Sequence, residues 1–193
     1  MDHAYIEDGE FNNTDFTTNL LKKGTYESCT FTKCNFANSD LSGVMFLDCS
    51  FIDSNFSMVK LTKTSFRDVK FQGCKLLGLR FEDCLQFGLA FSFHDCVINH
   101  SSFFQTKIKK TRFKNCQLRQ VDFSECDLSN SSFDDCDLSE AIFSNTIIEK
   151  ADFRTAFNYT IDLQTNRVKK AKFSLTGVVG LLNRYDIEID MTM

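Results

Sequence analysis

The sequence has no proline and no tryptophan, and glycine appears only 8 times in 193 residues. Gly43, Gly73, Gly78 and Gly88 stand singly, so no glycine-rich loop can be drawn to cradle a phosphate. The start, Met1-Asp2-His3-Ala4-Tyr5, has neither a charged leader nor an apolar run, which argues against a signal peptide. No stretch approaches the ~20 apolar residues that a membrane span needs. The cysteines never take the C-x₂-C spacing of a zinc ribbon. His3, His94 and His100 offer no Ser/His/Asp or Cys/His arrangement, and they read as surface residues. These absences point away from catalysis, cofactors, metals and membranes, and toward a cytoplasmic chain with reduced thiols. The formal charge of −4 also argues against nucleic acid as a direct ligand.

Phenylalanine, by contrast, is abundant at 22 residues, and there are 9 cysteines. Such enrichment asks for an architecture that uses one core position many times. Stepping by fives from Phe11 gives Phe16, Leu21, Tyr26, Phe31, Phe36, Leu41, Phe46, Phe51, Phe56, Leu61, Phe66, Phe71, Leu76 and Phe81. Every site is large and apolar. The next step lands on Gln86, and the pattern resumes two residues out of phase at Phe93. It then runs through Ile98, Phe103, Ile108, Phe113, Leu118, Phe123, Leu128, Phe133, Leu138, Phe143, Ile148 and Phe153. Two residues before the large sites runs a second lattice of mostly small residues, and all nine cysteines occupy it. A period of five fits neither an α-helix near 3.6 nor a strand at 2.0. It suits a chain that turns a corner every fifth residue.

Segments such as Cys34-Asn35-Phe36-Ala37-Asn38, Ser39-Asp40-Leu41-Ser42-Gly43 and Cys126-Asp127-Leu128-Ser129-Asn130 resemble the pentapeptide-repeat family. That resemblance implies an all-β, right-handed quadrilateral β-helix, a solenoid with four repeats per coil. Residues twenty apart should then stack, and one wall reads Phe11, Phe31, Phe51, Phe71, Phe93, Phe113, Phe133, Phe153, Phe173 across the slip. Eight coils would make a rod of roughly 38 Å at strand spacing. The chain divides into a cap over 1–10, repeats over 11–175 with a two-residue slip near 85–92, and a terminal segment over 176–193. Gly177 to Tyr185, then Asp186 to Asp190, read as a short helix followed by an alternating strand. This resembles the C-terminal module through which the quinolone-resistance subgroup dimerises. Leu181, Leu182, Tyr185, Ile187 and Ile189 are the candidate homodimer contacts, and a plain end cap is the alternative.

Charge is segregated along the chain. Lys107, Lys109, Lys110, Arg112, Lys114 and Arg119 are followed by a coil bearing Asp122, Glu125, Asp127, Asp134, Asp135, Asp137 and Glu140. The resemblance implies a non-enzymatic protein binder whose acidic band imitates DNA toward DNA gyrase or topoisomerase IV. A scaffolding solenoid with an unrelated protein partner is the other reading. On that second view the charges are ladders between coils: Lys107 with Asp127, Lys114 with Asp134, Asp134 with Arg154, Glu149 with Lys169, and Asp152 with Lys172. Stacked cysteines, such as Cys74, Cys96, Cys116 and Cys136, read as small buried apolar residues.

Overall fold

A chain with period five and two inward positions per repeat closes into a square shaft, and it does so here. The computed structural model describes residues 4–185 and 187–190; His3, Asp186 and the outermost residues of both terminal segments lie outside that range. Four walls are built by successive repeats. The first carries nine parallel strands, running from Glu10–Asn12 through Thr30–Thr32 and Ser50–Ile52 to Lys172–Phe173. The fourth begins with Ala4–Glu7, Gly24–Glu27, Met45–Leu47 and Ser65–Arg67. Single parallel bridges link the coils of the second and third walls, as at Asn35 to Asn55 and Ser102 to Asp122.

Register confirms the stacking interval. Phe11 lies opposite Phe31 and Phe31 opposite Phe51, but Phe71 lies opposite Phe93. The two extra residues can be located from the ladder. Leu85 N–H still bonds Thr64 O at the old interval, whereas Val69 N–H already bonds Ala90 O at the new one. The insertion therefore lies within 86–89, and it thrusts Phe87 outward, 82% exposed.

The shaft is filled with rings. Along the first wall, stacked centroids lie 4.5 Å apart at Phe11–Phe31 and 5.0 Å at Phe113–Phe133. Rings from neighbouring walls meet edge-on, as Phe51 does with Phe46 and Phe56. Both arrangements suit the aromatic quadrupole. The small inward lattice has its own bonding. Thiols and hydroxyls there donate to a carbonyl of the coil below: Cys74 to Phe51, Ser54 to Phe31, Thr146 to Phe123. Residues at this lattice are thus both small and weakly polar. Cys, Ser and Thr share it for that reason.

Each corner costs backbone energy. Among the described residues, twenty-four non-glycine residues hold positive φ, from Asp8 to Lys170, half of them Asp or Asn. The left-handed conformation costs an ordinary residue about 1–2 kcal/mol, least for Asn and Asp. The packed columns on either side enforce it.

The C-terminal end departs from the lattice. Asn158 takes a large-residue position and Leu163 is 41% exposed, while Tyr159 and Ile161 fill the shaft instead. Tyr159 stands 5.7 Å from the Phe153 ring. Thr176–Leu181 and Asn183–Tyr185 form short 3₁₀ helices over this end. A Cβ added to Gly180 would meet Tyr159 O at 2.1 Å, so the close approach requires glycine there. Residues 187–190, expected as a strand, join no ladder in the single chain.

Candidate functional site

The acidic coil is a girdle. Asp134 and Asp135 sit at the first wall and its corner, Asp137 and Glu140 on the second wall and its corner. Asp122 and Glu125 belong to the third wall and Asp127 to the fourth. One coil of acids therefore points in four directions.

Three of these acids serve the backbone. Asp127 Oδ1 accepts from Ser129 N–H at 3.1 Å and from its hydroxyl at 2.5 Å. Asp137 does the same with Ser139, at 3.1 and 2.6 Å, and Asp122 accepts from Ser124 N–H at 2.8 Å. The residue before each large site caps the N–H after it, the short-range bond that Asp makes readily. Asp40, Asn55 and Asp162 repeat the device elsewhere. Asp137 is 5% exposed and Asp127 9%, so neither presents a free carboxylate.

This cap also redirects the ion pairs. Asp127 pairs with Lys109 at 3.1 Å and Asp137 with Arg119 at 2.6 Å, not with the residues straight below. The carboxylate leans forward toward its own Ser, and the cation beneath that Ser becomes the nearest. Glu149 likewise meets Arg167 at 2.7 Å along the diagonal that long side chains can span. Of the vertical pairs expected, Asp152 with Lys172 is present at 3.5 Å. Lys107 with Asp127, Lys114 with Asp134, Asp134 with Arg154 and Glu149 with Lys169 are replaced, Arg154 turning to Asp152 at 2.7 Å. Burial opposes ionisation of Asp137, but hydrogen bonds from Ser139, Asn158 and Arg119 outweigh it and hold the carboxyl at about 2. Asp127 is also lowered, burial opposing and Ser129 and Lys109 prevailing.

Four acids of the girdle remain exposed: Glu125, Asp134, Asp135 and Glu140. Gln105 donates to Glu125 at 2.8 Å, Gln120 to Glu140 at 2.6 Å and Ser132 to Asp134 at 3.0 Å. None forms a close ion pair among the described residues, although Arg154, paired with Asp152, also feels the Asp134 charge.

Stacking by twenty reveals a second acidic surface that reading along the chain missed. Asp8, Asp48 and Asp68 fall at one corner of the fourth wall, with Glu7 and Glu27 beside them. Its signal was present in the period, but these acids are too scattered in sequence to form a run. Phe87 was missed too, because nothing in a two-residue slip says which side chain leaves the shaft. Its ring faces the Arg67 guanidinium at 5.4 Å.

The expected terminal contacts separate. Leu181 is buried against the shaft and Leu182 half-buried, whereas Tyr185, Ile187 and Ile189 are exposed. The cysteines are all buried and free. Contact with the next thiol of the column, together with burial, pushes Cys96 and Cys116 up to about 12. Thiols so held are poor nucleophiles. Among the described residues, no group of three or more His, Cys, Asp and Glu could hold a metal, and no helix is long and apolar enough to cross a membrane.

The family model described as a pentapeptide repeat region matches residues 24–91 and 81–153. No curated protein matches the chain. Among solved structures, it is similar to trypsin-treated QnrB1, described as a plasmid-mediated fluoroquinolone resistance protein, at 16% identity and a TM-score of 0.50, covering 96% of this chain and 99% of that one. It is also similar to HetL of Nostoc sp. strain PCC 7120, a pentapeptide repeat protein involved in heterocyst differentiation regulation. There the identity is 14% and the TM-score 0.50, over 91% and 88% of the two chains. At these identities the likeness is one of fold.

Proposed function

Because this chain belongs to the pentapeptide-repeat family, we propose that it is a non-enzymatic, cytoplasmic interaction protein that engages a type II topoisomerase such as DNA gyrase through an acidic surface. The observation that carries this reading is the single-signed charge left over once structural roles are subtracted. Glu125, Asp134, Asp135 and Glu140 stay exposed and form no ion pair among the described residues, Asp134 on the first wall and the other three at corners. Asp8, Asp48 and Asp68 add a separate acidic stripe in the opening half of the rod, the same corner column carrying Lys110 before it reaches the girdle. Long single-sign surfaces steer a partner built to hold DNA phosphates. Nine free, buried thiols suit a reducing compartment. The exposed Tyr185, Ile187 and Ile189 support a homodimer through the C-terminal segment.

A second reading, a scaffold with an unrelated protein partner, is favoured by the fate of Asp122, Asp127 and Asp137. Their carboxylates cap backbone N–H groups, and two also bind cations. A gyrase supercoiling assay, with and without a fluoroquinolone, separates the two. Inhibition or protection at micromolar protein, relieved when Glu125, Asp134, Asp135 and Glu140 become amides, supports topoisomerase binding. No effect on supercoiling leaves the scaffold.

A further inference from the structure

A β-helix has two ends, and the ends of this one match. Four hydrophobic residues of the shaft are only partly buried: Ile6, Phe11, Val168 and Phe173. The first two belong to the opening coil and the last two to the closing coil. Glu10–Asn12 and Lys172–Phe173 are the two outermost strands of the nine-stranded wall. Each therefore leaves one side of its backbone without a strand partner among the described residues.

Setting Phe11 of one copy above Phe173 of another aligns the rest. Ile6 falls on Val168, and Gly9 on Ala171 at the small inward site. The corners coincide, Asp8 at φ 52° above Lys170 at φ 60°. Three charged outward positions then meet their opposites: Glu7 over Lys169, Asp8 over Lys170, Glu10 over Lys172. All six side chains are exposed, and only Lys172 has an ion pair among the described residues, with Asp152.

We infer that the acidic opening edge of one copy docks in register on the basic closing edge of a second copy, head to tail. Such a contact is heterologous and does not close on itself, so it builds chains of rods. The 3₁₀ segment restrains it. Thr176–Tyr185 lies over the second and third walls, held by Ile161 N–H to Gly180 O at 3.1 Å, Asn183 to Thr160 at 2.9 Å and the Arg184–Asp162 ion pair. Docking along the first and fourth walls leaves this segment in place only if the rods tilt; coaxial continuation requires it to lift. The contact does not depend on topoisomerase binding, and it differs from a tail-to-tail dimer.

Sedimentation velocity of the full chain, over a range of concentration and salt, tests it. The expected result is self-association that grows with concentration, weakens with salt, and strengthens in Arg184→Glu. Reversing Glu7, Asp8 and Glu10 to Lys should weaken it about tenfold. Mixing that variant with one carrying Lys169→Glu, Lys170→Glu and Lys172→Glu should restore hetero-association, which also guards against a misfolded single variant. A chain that stays monomeric up to millimolar concentration even with Arg184→Glu, or a dimer indifferent to both reversals, overturns the inference.

Discussion

The coils before and after the insertion share one backbone but are filled and tied differently. Before it, three walls carry aromatic columns, and Phe51 stacks on Phe31 and Phe71 while meeting Phe36, Phe46 and Phe56 edge-on. After it the second and fourth walls turn aliphatic, with Ile98, Leu118, Leu138 and Ile108, Leu128, Ile148. Outside, the order reverses. The early coils have two networks, Lys23–Asp40–Lys60 and Glu82–Arg80–Asp83, while the later ones carry Lys109–Asp127, Arg119–Asp137, Arg167–Glu149 and Arg154–Asp152–Lys172. One shape can be held by rings within or by capped carboxylates without.

The contrast can be broken most directly in the shaft. Phe51→Ala should cost about 3–5 kcal/mol and Leu118→Ala about 2–5 kcal/mol, the ring change being the larger because five aromatic contacts go with it. Denaturant midpoints measure both, and the reverse order would undo the distinction. Outside, Asp137→Ala should cost about 1–3 kcal/mol, since it removes a charged acceptor that bonds Arg119, Asn158 and the half-buried Ser139 N–H. Asp40→Ala, at a half-exposed pair, should cost about 0–1 kcal/mol.

Acid sharpens the same comparison. Asp137 and Asp152 are held at about 2 in the folded chain, below the ordinary carboxylate value of about 3.9. A lowered folded value stabilises fully above the unfolded one and is lost as pH falls through the folded one. Melting temperature should therefore drop between about pH 4 and about pH 2, and less steeply in Asp137→Asn. An identical slope in that variant would remove Asp137 from the account. The smallest effect belongs to Phe87→Ala, which should leave stability within about 0.5 kcal/mol because the ring is already in solvent; urea unfolding checks it.

Much of the fold was legible because the period is local and redundant. From Phe11 to Phe153 each repeat restates the same inward pair, and one slip at Gln86 could be located by the phase of the Phe column alone. The surface was less legible. Lys107 and Asp127 are opposite in register, yet the ion pair goes to Lys109, because a hydrogen bond to Ser129 turns the carboxylate. Spacing cannot report where a side chain leans. The terminal coil was misjudged for a related reason: Leu163 fits the pattern but is exposed, while Tyr159, off the pattern, fills the shaft.

The sequence by itself determined the five-residue period, the Phe column twenty apart and the place where the register shifts, while the square closure was what the resemblance to pentapeptide repeats implied. Only the tertiary structure decided which acids are free, which corner gathers scattered carboxylates, that Phe87 points outward, and that the two ends complement each other. Those properties depend on neighbours twenty or more residues away, and on side-chain directions that competing hydrogen bonds select.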